Sequence, residues 1–364
     1  MSHYLGIDVG TYETKGVIAD RTGRIVASAS SPHRMIVPQP GWAEHRPVED
    51  WWDGFVAVCR SLLAESRVPA ADIRAVATSA IGPCMLPVDK SGAPLMNAVL
   101  YGVDGRAAAE IAELDEELGR DVILDRCGNA LTSQSVGPKI LWLKHKRPEI
   151  YGWAAKFVTS TSWLVHRLTG RFVVDHYTAA NFSPFYLVAE QGWSDELSTS
   201  IVDTEKLADI AWTTEIAGHV TREAAQATGL AAGTPVTVGT IDAAAEALSV
   251  GVREPGDMMM MYGSTVFMIQ LTREPVRDPR LWYAPWLFAG EHASMAGLAT
   301  SGTLTHWFRD QFARELTGEE AFARLAEEAA AAPPGSRGLV LLPYFSGERT
   351  PIHDPLAKGV LFGL

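Results

Sequence analysis

Two α/β domains of related plan are what the sequence predicts, and three observations carry that expectation. Short apolar runs alternate with tight turns at the N-terminus, and a strand, glycine turn and strand recur near residue 260. The chain has 364 residues, 47% of them hydrophobic, enough to fill two cores when a domain takes about 150 residues.

Residues 4–7, 15–19 and a run from Ile25 are separated by Asp8-Val9-Gly10-Thr11 and Asp20-Arg21-Thr22-Gly23. Apolar runs bounded in this way read as three antiparallel strands joined by turns. Pro47 opens a helix in which Trp51, Phe55, Val58 and Leu62 recur at helical spacing; proline suits the first helical position because its missing N–H has no partner there. A buried strand is expected over residues 73–78, then a strand pair, 85–88 and 98–100, around Asp89-Lys90-Ser91-Gly92. Helices are expected over residues 106–118, 139–146 and 162–168, and a strand over 236–239 feeds an alanine-rich helix over 243–248. After a linker at Arg253-Glu254-Pro255-Gly256, strands over 257–262 and 266–272 flank Gly263-Ser264-Thr265. Residues 6–11 and 260–265 look like one device used twice, an internal repeat that implies two related domains facing each other. Helices over 303–315 and 319–332 and a strand over 339–342 follow, with the expected domains at 1–251 and 252–364.

Acidic residues outnumber basic ones 43 to 31, a net charge of -12. That much acid repels a phosphate backbone and speaks against nucleic acid as a principal partner. Cys59, Cys84 and Cys127 form no CxxC pair, so neither a disulfide framework nor a cysteine zinc site is expected, and a reducing cytoplasm fits. No apolar run approaches the roughly 20 residues that span a bilayer, and the N-terminus lacks a basic stretch before an apolar one; membrane insertion and secretion are not expected.

P-loop, GxGxxG and HExxH motifs are absent, which leaves the two glycine-hydroxyl hairpins as candidate chemistry. Glycine lets backbone N–H groups approach an anion, and an adjacent hydroxyl adds a donor, so Gly10-Thr11 and Gly263-Ser264-Thr265 would each hold part of a polyphosphate. Asp8 would hold magnesium through water. Either turn alone also reads as an ordinary hairpin turn; the pairing points to phosphate. Asp242 lies between a strand and a helix, where α/β proteins place reactive groups. It would accept a proton from a substrate hydroxyl attacking phosphorus, or else serve as a helix N-cap. Asp104 and Arg106, two apart, would bind sugar hydroxyls, or Asp104 would cap the helix that Arg106 begins, the reading the residues alone favour. Among the 11 tryptophans, Trp51, Trp142 and Trp163 sit on apolar helix faces and read as core, and the histidines show no ligand spacing and read as structural or surface.

Several stretches in order resemble the FGGY family of carbohydrate kinases: Leu5-Gly6-Ile7-Asp8-Val9-Gly10-Thr11 with Lys15, Pro40-Gly41-Trp42-Ala43-Glu44 with Trp51-Trp52, Lys139-Ile140-Leu141-Trp142-Leu143, Gly239-Thr240-Ile241-Asp242-Ala243, Gly263-Ser264-Thr265, and the stretch 342–351. The resemblance implies an actin-like, ribonuclease H-like two-domain fold with a sugar and magnesium-bound ATP in the cleft. It implies Asp8, Gly10, Thr11 and Lys15 as phosphate and magnesium contacts, Gly263, Ser264 and Thr265 as the second phosphate turn, and Asp104 and Arg106 on the sugar side. Asp242 becomes the general base, in contact with substrate and on the magnesium side.

Two departures from the family pattern stand out. Ile81 and Pro83 replace a glutamine and a histidine of the xylulokinase pattern, removing side chains that would hydrogen-bond a sugar hydroxyl, which puts D-xylulose in doubt. The chain stops at Phe362-Gly363-Leu364, where the family's C-terminal signature opens, so the second domain is expected to be incomplete. The expected activity is ATP-dependent phosphorylation of a sugar, ketose or polyol hydroxyl; the alternative is a non-catalytic sugar-binding or regulatory pseudo-kinase. Neither a nucleic-acid nor a membrane partner is expected, and a homodimer stays open.

Overall fold

The structure is a computed structural model that describes residues 2–318, 320–345, 347–352, 354 and 356–364. Glu319, the expected first residue of a helix, and Ser346, within the stretch 342–351, lie outside these residues.

Strands β1 (His3–Val9), β2 (Glu13–Asp20) and β3 (Ile25–Pro32) pair antiparallel in succession, as expected. Alternation along β1 sends Leu5, Ile7 and Val9 into the core and leaves Gly6 and Asp8 on the opposite face. Ile73–Ala80 joins the other edge of β1 in parallel. Pro235–Thr237 and Thr240–Ile241 both pair in parallel with Ile73–Ala80, and Ile216–His219 closes that side antiparallel, completing a seven-stranded mixed sheet.

Pro47–Trp52 forms a wide helical turn that leads into α1 (Asp53–Ser66). The apolar spacing read from sequence is what packs: Trp51, Phe55, Val58 and Leu62 are at most 1% exposed and lie against Leu5, Ile7 and Val76 of the sheet. At roughly 25 cal/mol per Å² of apolar surface, each such side chain contributes about 1.5–3 kcal/mol.

The second half carries a separate antiparallel sheet in the spatial order Met258–Tyr262, Val266–Thr272, His292–Leu298, Trp282–Pro285. Its inner residues Ile269, Leu271, Trp286 and Met295 share one apolar cluster with Val174, Tyr177, Ala244 and Ala247 of the first half. Its edge strand exposes Met258, Met260, Met261 and Tyr262. The repeat read from sequence is a structural one: β1 and β2 around Gly10-Thr11, and Met258–Tyr262 and Val266–Thr272 around Gly263-Ser264-Thr265, are both antiparallel hairpins.

One expectation fails. The runs around residues 85–88 and 98–100 do not form a mutual pair beyond a single bridge, Met85 to Val99. Leu86–Val88 pairs with Lys156–Val158, and Ala98–Val99 pairs with Glu44–His45. Both runs are fully buried, and a continuous apolar run carries no alternation to select its partner. The helix expected over 106–118 is Ala108–Leu114, followed by a wide turn, Asp115–Gly119, and a further helix, Arg120–Cys127. The three cysteines are free and buried. Among the described residues no helix is long and apolar enough to cross a membrane.

Candidate active site

The first turn is held from several sides. Gly10 N–H donates to the Glu13 carbonyl at 2.9 Å, His33 Nε2 bonds the Gly10 carbonyl at 2.9 Å, and Thr11 Oγ1 bonds the Tyr101 hydroxyl at 3.2 Å. Trp51 Nε1 donates to His45 Nδ1 at 2.9 Å, which puts the proton of a neutral His45 on Nε2; that ring stands edge-on to His33, with 5.2 Å between centroids. Burial holds the His45 pKa down to about 4, so the ring stays neutral. His33 and His45 are structural, as the sequence suggested, but what they support is the candidate phosphate turn, and no spacing signal would have shown it.

Asp8, Ser79 and Thr240 lie side by side on three adjacent strands. Ser79 Oγ donates to Asp8 Oδ1 at 2.7 Å. Burial raises the Asp8 pKa, opposed by Ser79 and by the Lys15 charge. Lys15 faces Asp8 in register on β2, with its side chain 66% exposed. Two residues beyond Thr240, Asp242 begins the helix Asp242–Ser249. Ile241, not Asp242, occupies the N-cap position, and Asp242 Oδ1 accepts from the Ala243 N–H at 2.8 Å, so capping does not account for this carboxylate. Burial pushes its pKa up to about 8, with the Asp8 charge the next cause. Glu246, one turn further, is raised by burial and by Asp8.

These carboxylates repel one another, and an exposed lysine offsets little of that repulsion. Such a donor set suits a divalent cation. Among the described residues no group of three or more His, Cys, Asp or Glu side chains is arranged to hold a metal; Asp8 and Asp242 are the carboxylates that would hold one together with a bound phosphate. A cavity of about 560 Å³ opens beside Asp8, lined also by Gly6, Ser79, Thr240, Ala245 and Leu248.

The second turn docks on a helix end. Gly263 N–H donates to the Thr265 carbonyl at 2.9 Å, while the Ser301 and Gly302 N–H groups donate to the Ser264 and Gly263 carbonyls at 3.0 and 2.8 Å. Gly302 begins the helix Gly302–Phe312, and a Cβ on it would lie 2.6 Å from the Gly263 oxygen, so only glycine allows this approach. Among the described residues no hydrogen bond joins this turn to Gly10-Thr11. The two halves meet instead where Tyr177 OH donates to Met295 Sδ at 2.8 Å and where Asn129 bonds the Tyr283 backbone twice, at 2.7 and 2.8 Å.

Asp104 and Arg106 are turned on each other. Arg106 Nε and Nη2 donate to Asp104 at 2.8–3.0 Å, Nη2 also reaches Glu44 at 2.9 Å, and the Ala43 N–H donates to Asp104 at 2.6 Å. The guanidinium lies 3.9 Å from the Trp42 ring centroid and 5.0 Å from that of Trp142. Both side chains are buried, and Arg106 Nη1 alone lacks a partner. The capping reading fails too: Ala107 stands at the cap of the following helix and no side chain bonds there. Buried Lys139 donates to the Leu100 carbonyl at 2.7 Å and the Tyr101 carbonyl at 3.3 Å, fixing the backbone that carries Tyr101.

Arg349 lies in a stretch that carries the family resemblance, yet nothing in its spacing points to a role. Glu348 accepts from the Ala299 N–H at 2.9 Å, and Thr350 bonds Gly297 through backbone and side chain at 3.1 and 3.2 Å. Arg349 is thus set between two anchored neighbours. Burial raises the Tyr101 phenol pKa, with its hydrogen bond to Thr11 the main opposing cause and the Arg349 charge a lesser one.

Comparison with known proteins identifies the family and the fold. The pattern of the FGGY family of carbohydrate kinases, N-terminal domain, matches residues 3–249, and that of the C-terminal domain matches residues 258–364. An autoinducer-2 kinase of Yersinia enterocolitica is 29% identical over 357 residues, covering 94% of this chain and 66% of its own length. A xylulose kinase of Bacillus subtilis is 27% identical over 367 residues, covering 100% of this chain and 72% of its own length. The crystal structure of xylulose kinase from Rhodospirillum rubrum superposes with a TM-score of 0.93 at 33% identity, over 100% of this chain and 73% of that one. The fold is therefore the two-domain, actin-like and ribonuclease H-like α/β fold, and this chain belongs to the FGGY family of carbohydrate kinases.

Proposed function

We propose that the chain transfers the γ-phosphoryl group of ATP to a hydroxyl of a sugar, ketose or polyol. The observation that carries this is the placement of Asp242 at the start of the helix Asp242–Ser249, two residues beyond Thr240, whose strand neighbour Ser79 hydrogen-bonds Asp8, where a carboxylate can take a proton from an attacking hydroxyl. The acceptor hydroxyl gives its proton to Asp242 as its oxygen bonds to the γ-phosphorus. The bond from that phosphorus to the β–γ bridging oxygen breaks, and ADP leaves with the electron pair.

Gly10, Thr11 and Lys15 would receive the phosphates from the first half, and Gly263, Ser264 and Thr265 from the second. Asp8 and Asp242 would hold the magnesium ion, which when bound would neutralise charge developing on the transferred group. Asp104 and Arg106, paired with each other and with Glu44, would form the sugar-side wall. Residues 1–251 would act as the sugar- and phosphate-binding unit and 252–364 as a nucleotide-binding unit. ATP as donor and three free thiols favour a cytoplasmic setting.

Relatives named for different acceptors, together with Ile81 and Pro83 in place of the xylulokinase glutamine and histidine, favour an acceptor other than D-xylulose. A coupled ADP-release assay over pentuloses, hexuloses and polyols is the test. One compound should stand at least tenfold above the ATP-only background and lose that rate in Asp242→Asn; uniform background with every compound would sink the proposal.

A further inference from the structure

Behind the strand that presents Asp242 lies a carboxylate the mechanism does not use. Asp175 is 2% exposed, and among the described residues no cationic side chain pairs with it. Its Oδ2 accepts from Thr240 Oγ1 at 2.8 Å, from the Thr178 N–H at 3.3 Å and from Thr213 Oγ1 at 3.4 Å. Burying an unpaired carboxylate is costly unless hydrogen bonds compensate, and here the strongest of them goes to the residue two before Asp242.

Thr240 is held from other sides as well. Thr161 Oγ1 donates to its carbonyl at 2.9 Å. The preceding Gly239 takes φ +73°, and a Cβ there would come 2.2 Å from the Thr78 carbonyl oxygen. Thr240–Ile241 is only two residues long and pairs with Ile73–Ala80 through Ser79 and Ala80. A strand that short has little ladder of its own to define its direction, so side-chain fastening sets where Asp242 points.

We propose that Asp175 is a positioning residue that acts through Thr240 to aim Asp242 at the reacting hydroxyl. This rests on the reading of Asp242 as base for its catalytic consequence, but the fastening itself is a separate, measurable property. The chain is compared with Asp175→Ala, Asp175→Asn, Thr240→Val, Thr240→Ser and the Asp175→Ala/Thr240→Val double variant, by hydrogen–deuterium exchange of the amides of residues 239–245. Thr240→Val keeps the shape and removes the donor; Thr240→Ser keeps the donor.

Asp175→Ala and Thr240→Val should each speed exchange of 239–245 about tenfold or more while β1 and β2 stay as in the parent. The double variant should be no faster than Asp175→Ala alone, because the two side chains make one interaction. Thr240→Ser and Asp175→Asn should restore most of the protection. Unchanged exchange at 239–245, a rise shared by the whole chain, or effects that multiply in the double variant would each overturn the proposal. With the acceptor from the panel, Asp175→Ala should lower kcat about 10–100-fold with KM for ATP within about threefold, the pattern of a misplaced catalytic group. Full activity in Asp242→Asn would instead remove the base and leave the exchange result standing.

Discussion

The two glycine-hydroxyl hairpins share a sequence pattern but differ in what surrounds them. β1 is paired on both edges, by β2 and by Ile73–Ala80, and its turn is bonded by His33 and Tyr101. Met258–Tyr262 is an edge strand with most of its residues exposed, and its turn hangs on the first residues of one helix. A turn locked from several directions is preorganised for electrostatic work on the transferred group. A turn held at a single helix end can adjust to its ligand. The first hairpin should therefore govern kcat and the second the affinity for ATP.

The largest effect is expected in the half of the chain that holds the first, at the helix that Asp242 begins. Asp242→Asn should lower kcat about 10²–10⁴-fold, the usual worth of a general base, with KM for ATP nearly unchanged. A loss in KM with kcat preserved would reverse the roles assigned to the two halves.

Gly302→Ala is the corresponding probe of the second. The added Cβ would meet the Gly263 oxygen at 2.6 Å, and the turn must shift to relieve it. KM for ATP should rise about tenfold while kcat changes less than about threefold; the strain should also cost about 1–3 kcal/mol of stability. Should kcat fall instead with KM intact, the second turn would be as rigid a part of the chemistry as the first.

A smaller effect is expected at Trp51→Phe, which keeps most of the core volume and removes the N–H that fixes the His45 tautomer. Losing one buried hydrogen bond costs about 1–3 kcal/mol. Because His45 packs against His33, which bonds the Gly10 carbonyl, kcat should fall about three- to tenfold, and an unchanged kcat with the same stability loss would confine His45 to the core.

Much of this was legible in the sequence where a pattern is local. The three N-terminal strands, the apolar face of α1 and the recurrence of strand, turn and strand follow from spacing that any window of ten residues contains. The partners of residues 85–88 and 98–100 do not, because they are set by Lys156–Val158 and Glu44–His45, far away in the chain. The site divides in the same way. Asp8, Gly10, Thr11 and Asp242 announce themselves by their place at strand ends, whereas His33, His45 and Asp175 act through contacts that only the fold creates. Asp104 and Arg106 were legible as a pair, but sequence could not show that they spend most of their hydrogen bonds on each other and on Glu44.

The smallest effect concerns stability. In the folded chain burial and Asp8 raise the Asp242 pKa to about 8, whereas in the unfolded chain it lies near 3.8. Between these values the folded state holds a proton that the unfolded state has lost. The group's contribution to stability is therefore full below about pH 4 and is lost as pH rises through about 8. The amide that Asp242→Asn introduces cannot ionise, so the variant keeps a neutral group there at every pH. The lead of its thermal midpoint over the parent's should widen between pH 5 and pH 8.5 by about 2–6 °C, corresponding to about 1–2 kcal/mol once partial exposure of the carboxylate is allowed for. Asp8 and Glu246 remain in the variant and give both proteins a shared slope, so the difference between the two curves isolates Asp242. Parallel curves from pH 5 to 8.5 would mean that Asp242 is ionised throughout, and that its repulsion with Asp8 is already relieved without a bound cation.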